Sequence, residues 1–142
     1  MPNRRRIRRI GRPPAMEGYK PFGVPMRELE SVVMSMEEYE ALRLADYEDL
    51  THEQAAQKMN ISRPTFTRLY DKARKNVAKA FVEGKAILIR GGTFATGEYW
   101  YRCNKCHETI TSANPEESCK LCNSDDIVRI DKGDAENENK PL

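Results

Sequence analysis

The sequence predicts a mainly α protein: a three-helix helix-turn-helix unit followed by a small β zinc-ribbon module. Three observations predict it. Helix-start signatures occur three times in succession between residues 35 and 64. A long amphipathic segment follows the last of them. All four cysteines fall in two C-x-x-C pairs between Cys103 and Cys122. A chain of 142 residues suits one ordinary domain or two very small ones. Its 24 basic and 22 acidic side chains nearly cancel, so the distribution of charge says more than the net +2.

Residues 1–22 carry Arg4, Arg5, Arg6, Arg8, Arg9, Arg12 and Lys20 against one acid, Glu17. Apolar content is low, and prolines and glycines interrupt the stretch, so it reads as a flexible basic arm that cannot bury enough surface to order itself. No apolar run follows the arginines in the manner of a signal peptide, and none approaches membrane-spanning length. The expectation is a soluble cytoplasmic protein, in which clustered thiols hold metal rather than disulfides.

Residues 23–95 form the expected helical domain. In "SMEE", Ser35 caps a helix and Glu38 stands three residues on, the spacing of a capping box. In "LTHEQA", Thr51 and Gln54 repeat it, and that helix ends near Met59. In "NISRPTF", Ser62 caps, and Pro64 sits in the first turn, where a missing N–H costs nothing. This third helix runs to about Val82 and stops at Gly84. Beyond it "KAILIR", "EYWYRC" and "DIVRID" read as strands. Residues 96–132 make the cysteine module, and 133–142 a polar, disordered tail.

At about 100° per residue, Phe66, Leu69, Tyr70, Ala73, Val77, Ala80 and Phe81 line one side of the third helix, a core-facing stripe. The other side carries Arg68, Asp71, Lys75 and Lys79, flanked by Thr65, Thr67 and Lys72. Only residues 60–62 separate this helix from the one before, whose Ala55, Ala56 and Met59 allow close approach. Two helices joined by so short a turn, the second basic, match the helix-turn-helix pattern, in which the second helix enters the major groove of duplex DNA. Arg63, Thr65, Thr67 and Arg68, with Lys72, are the candidate base-edge readers. Lys75 and Lys79 are candidate phosphate contacts, and Arg4, Arg5 and Arg6 could follow the backbone or enter the minor groove. The competing reading is a merely solvated basic face. The acids between Glu28 and Glu53 would face away from phosphate; Glu37–Glu40 are read as serving helix solubility and the helix dipole.

Residues 23–92, through "EALRLAD" and "SRPTF" above all, resemble a small prokaryotic family of uncharacterised predicted DNA-binding proteins, uncharacterised protein family 0251. Its helix-turn-helix is similar to that of sigma-factor region four. The resemblance implies a transcription-related role. Members carry a cysteine in the basic N-terminal stretch, where this chain has none. The cysteine module lies outside the matched region.

Cys103, Cys106, Cys119 and Cys122 supply four thiolates, a closed tetrahedral set for Zn²⁺. Rubredoxin-like iron and disulfides are the alternatives; a catalytic zinc would need an open position that four cysteines do not leave. The residue after each knuckle must tolerate positive φ, and here these are His107 and Asn123. His107 reads as an ordinary loop histidine, and His52 as exposed in the first turn of its helix. Tyr99, Trp100 and Tyr101 either pack the ribbon and its junction or form a stacking platform for single-stranded nucleic acid.

A transcriptional regulator binding double-stranded DNA is therefore expected first. An adaptor docking on RNA polymerase or another protein through the ribbon is the alternative, and an iron redox protein the third reading. A homodimer stays open. With no nucleophile–base arrangement or phosphate loop, no enzyme is expected.

Overall fold

A computed structural model describes residues 8–92 and 94–131. Arg4, Arg5, Arg6 and the acidic tail lie outside these residues. The elements run β1 (Arg8–Arg9), β2 (Gly18–Tyr19), β3 (Ser31–Met34), α1 (Met36–Leu42), α2 (His52–Met59), α3 (Arg63–Glu83), β4 (Ala86–Ile89), β5 (Phe94–Ala95), β6 (Tyr99–Cys103), β7 (Thr109–Ser112) and β8 (Ile127–Arg129). With three α-helices and two three-stranded sheets among the described residues, the protein is not mainly α. A helical unit, a central sheet and a cysteine ribbon share it. What the α-rich expectation missed is β3. "SVVM" looks like a helix lead-in, yet its residues alternate in burial with a period of two, as a strand's do.

The helix starts are made as their residues dictate. Ser35 Oγ accepts from Glu38 N at 3.1 Å and Ser62 Oγ from Thr65 N at 3.3 Å. Thr51 and Gln54 bond reciprocally at 3.1 and 3.0 Å, a complete capping box. Glu38 does not close the first box, because its side chain is spent on Asn76 of α3, 2.7 Å away. After α1 the chain widens into a π-turn over Arg43–Tyr47. Asn60 at φ 59° and Gly84 at φ 66° end α2 and α3 in the left-handed conformation.

Ala41, Leu44, Ala55, Ala56, Met59, Ile61, Phe66 and Tyr70 form the helical core. The small side chains of α2 let α3 lie close. The expected stripe on α3 holds at Phe66, Tyr70, Ala73 and Ala80, all buried, but fails at Phe81, which is 86% exposed. At 21 residues, roughly 31 Å, α3 outruns the shorter α1 and α2. It also packs against β3 and β4, and Ala80 near its end is buried.

The central sheet has the order β2-β4-β3, with β4 parallel to β3 and antiparallel to β2. Gly18 is required where β2 meets β4, since a Cβ there would stand 1.9 Å from the Ile87 carbonyl oxygen. The ribbon sheet has the order β7-β6-β8, all antiparallel.

The stretch expected as a free arm is held from Arg8 onward. β1 pairs with β5, and β2 with β4. Ile10 is buried against Met36, Ile89, Trp100 and Ile130. Arg8 pairs with Glu37, and Gly11 N donates to Glu40. Low apolar content did not leave this stretch free, because it is ordered by surfaces that the local sequence cannot announce: the acidic side of α1, the β4 edge and the ribbon. Glu37, Glu38 and Glu40 accordingly do not solubilise α1: they are 5%, 4% and 1% exposed and receive the arm, α3 and Arg43. No described helix is long and apolar enough to cross a membrane.

Candidate metal centre and candidate nucleic-acid interface

β6 delivers Cys103 to the first knuckle, and the second follows the β7 hairpin at Cys119–Cys122. His107 at φ 63° and Asn123 at φ 61° turn the chain after each pair, as the tolerance of these residue types requires. Their amides donate to the Cys103 and Cys119 carbonyls at 3.0 and 2.9 Å. Within the knuckles, Cys106 N and Leu121 N point at the Cys103 and Cys119 sulfurs at 3.4 Å. Cys103 and Cys119 are fully buried, and the other two half-buried.

The four Sγ atoms lie within 4.8 Å of one another, with Cys103–Cys122 at 3.6 Å and Cys106–Cys119 at 3.7 Å. Disulfide sulfurs would be about 2.0 Å apart. A tetrahedron with metal–sulfur bonds of about 2.3 Å has edges of about 3.8 Å, which these spacings approach. The residues present therefore fit a four-coordinate thiophilic metal. The cluster contains no histidine, so His107 is not one of its ligands.

The proton chemistry of the cluster agrees. The Cys106 amide donating to its sulfur, helped by the Lys105 amide, draws Cys103 down to about 7. The Glu108 amide favours the Cys106 thiolate, but burial and the neighbouring sulfurs prevail and push Cys106 up to about 12. Four thiolates this close repel one another unless a cation stands between them.

β6 separates two environments. Tyr101 and Cys103 face the metal-side core, with Ile110 and Cys119. Trp100 faces the other way, 2% exposed, into the seam with Ile10, Met36 and Ile89. Arg129 lies over the Tyr99 ring at 4.6 Å. These aromatics pack the ribbon and its junction, and leave no open stacking platform on this strand. Asp131 closes the ribbon end by accepting from Trp100 N at 3.2 Å and Arg129 Nε at 2.8 Å. Burial alone would raise its pKa, but these donors hold it below the ordinary carboxylate value.

On α3, Arg63, Arg68, Lys75 and Lys79 are exposed and form no ion pair with any described residue. The Lys72 side chain is 71% exposed, with its Nζ 3.7 Å from Glu38. The threonines are less free than the basic residues. Thr65 Oγ1 accepts from Ser62 Oγ at 2.8 Å, and Thr67 Oγ1 bonds His52 Nδ1 at 2.9 Å. His52, expected in the open, is half-buried, with its ring edge-on to Phe66 and Tyr70 at 5.3 and 5.1 Å. Tyr70 in turn donates to Asp46 at 2.5 Å. This network sets α2 against α3. No spacing in the sequence announces it, because its partners stand 15 and 24 residues apart.

The class is thus a helical unit, with two helices joined by a tight turn, tied through a central sheet to a four-cysteine ribbon. The chain belongs to the family described as "Protein of unknown function DUF134", whose model matches residues 1–97. It is 44% identical over 130 residues to a UPF0251 protein of Chloroherpeton thalassium, covering 89% of this chain and 85% of that one. It is 42% identical over 132 residues to one of Pelotomaculum thermopropionicum, covering 92% and 100%. A third, from Moorella thermoacetica, is 42% identical over 129 residues, covering 90% and 87%. The likeness thus runs past the family model into the cysteine module. No solved structure matches.

Proposed function

We propose that this protein binds duplex DNA through α3 and regulates transcription, with the ribbon as a Zn²⁺-stabilised structural module. The observation that carries the reading is the free basic face: Arg63, Arg68, Lys75 and Lys79 stand open to solvent on a helix whose opposite side is locked into the core. Asn60, Ile61 and Ser62 form a turn that sets α3 against α2 in the order of a helix-turn-helix pair. Arg63 and Arg68, in the first turns, reach base edges; Lys75 and Lys79 meet phosphates. Thr65, and Thr67 on its His52 bond, make shorter-range contacts to bases, and Lys72 joins the phosphate contacts. Arg4, Arg5 and Arg6, which lie outside the described residues, are further basic side chains for backbone contact in this reading.

Zn²⁺ is the metal of this reading because it takes a closed tetrahedral set of four thiolates in a structural role; the same set also accommodates iron, and metal content separates the two. The ribbon as an adaptor on RNA polymerase has less behind it, since Trp100 and Tyr101 are spent inside the protein.

Selection of bound fragments from random duplex DNA by the metal-loaded protein tests the reading. Binding should weaken steeply with salt, in proportion to the phosphates contacted. No duplex binding at low salt would remove it. Metal content measured on the purified protein should give one zinc per chain and no colour; a coloured, iron-containing protein would overturn the choice of metal.

A further inference from the structure

A cleft of about 550 Å³ opens where the arm, β4 and the ribbon meet. Its floor is apolar, with Met36, Ile89 and Ile130, all buried. Its polar lining is unbalanced: Lys20, Arg90 and Arg102 face one carboxylate, Glu17. Neither Lys20 nor Arg90 makes an ion pair with a described residue.

Arg102 is the unusual member. It is only 8% exposed, although a guanidinium carries five N–H donors and is costly to bury without partners. One donor bonds the Met16 carbonyl at 3.2 Å. Among the described residues its one ion-pair partner is Glu17, at 3.6 Å from Nε, beyond hydrogen-bond distance, and the Glu17 side chain is 74% exposed. No fully enclosed side-chain nitrogen among the described residues lacks a hydrogen bond, so the unused donors of Arg102 are those that open on the cleft, where a planar carboxylate or phosphate suits their fork.

We infer that this cleft is a binding site for a small organic anion. Its carboxylate or phosphate displaces Glu17 from Arg102, with Arg90 and Lys20 alongside, and its apolar body lies on Met36, Ile89 and Ile130. The cleft borders the first knuckle at Asn104 and His107 but is lined by none of the four cysteines and by no residue of α3, so it stands whether or not the protein binds DNA. Because its walls come from the arm, the central sheet and the ribbon, a ligand there fastens the three together.

The test uses the full-length, metal-loaded protein and four probes: phenyl phosphate, benzoate, inorganic phosphate and phenol. Phenyl phosphate or benzoate should raise the melting temperature saturably and shift the amide resonances of Ile89, Val128 and Ile130, with inorganic phosphate and phenol doing markedly less. Arg102→Gln should weaken binding by about tenfold or more. Arg102→Gln could also loosen the seam, so Arg90→Gln, on the half-exposed side, serves as the second variant and should weaken binding several-fold while the protein stays folded. No response to either aromatic anion overturns the proposal. So does binding in both variants as tight as in the unaltered protein, or a response to inorganic phosphate alone as large as that to phenyl phosphate.

Discussion

The helical unit and the cysteine ribbon are stabilised by different physics. The helical unit buries a contiguous apolar cluster, from Ala41 to Tyr70, under three capped helices. The ribbon's own cluster is little more than Tyr101, Ile110 and two of its cysteines. A segment that small cannot offset its chain entropy by burial alone. The first region is therefore specified by many weak, redundant contacts, and the second by four sulfurs and what they hold. The first should degrade gradually under substitution, and the second should fail at once.

Removing the metal should have the largest effect. Structural zinc contributes about 10 kcal/mol or more to folding a small thiolate site. Chelation should abolish the ribbon's near-ultraviolet circular dichroism while most of the far-ultraviolet helical signal survives. Equal loss of both signals would mean that the two regions are one cooperative unit, joined through Trp100. Acid should act in the same direction, because protons compete for the thiolates, and metal retention followed from neutral to acidic pH should fall with a slope above one proton per ion.

Phe66→Ala comes next. Phe66 is fully buried between α2 and α3, and its truncation should cost about 3–5 kcal/mol. Chemical denaturation should show the loss in the helical signal, with the metal still bound. Release of the metal by this substitution would contradict the division between the regions.

Arg68→Ala is smaller and should leave stability unchanged, since the side chain is exposed. It should weaken binding to a selected duplex by about 1–3 kcal/mol and relax the preference at one base position. A uniform loss across all sequences would make Arg68 a phosphate contact. The smallest effect is expected at a cap: Thr51→Ala removes the bond that its Oγ1 accepts from Gln54 N, leaves the one its own backbone N donates to Gln54, and should lower stability by about 1 kcal/mol.

The parts legible in the sequence are those whose signals are local. Ser35, Thr51 and Ser62 mark helix starts because a cap and its amide stand three residues apart. The cysteine spacing marks the metal cluster, and His107 and Asn123 its turns, for the same reason. The two-residue strands β1 and β2 were illegible, because so short a strand has no periodicity and exists only through its partner. Glu37, Glu38 and Glu40 were misread as solvent-facing because burial of a carboxylate depends on partners that arrive from Arg8, Gly11 and Asn76. The burial of Arg102 was illegible, since nothing in "YWYRC" says which face of β6 meets the arm.

The sequence by itself determined three capped helices, a basic third helix and a four-thiolate site, each encoded within a few turns or a single hairpin. Tertiary structure alone decided that the arm is held between α1 and the ribbon, that three glutamates are buried, and that Trp100 and Arg102 share a seam. Those outcomes depend on surfaces distant in the chain. Desolvation and charge pairing are settled only when such surfaces meet, so no local pattern can carry them.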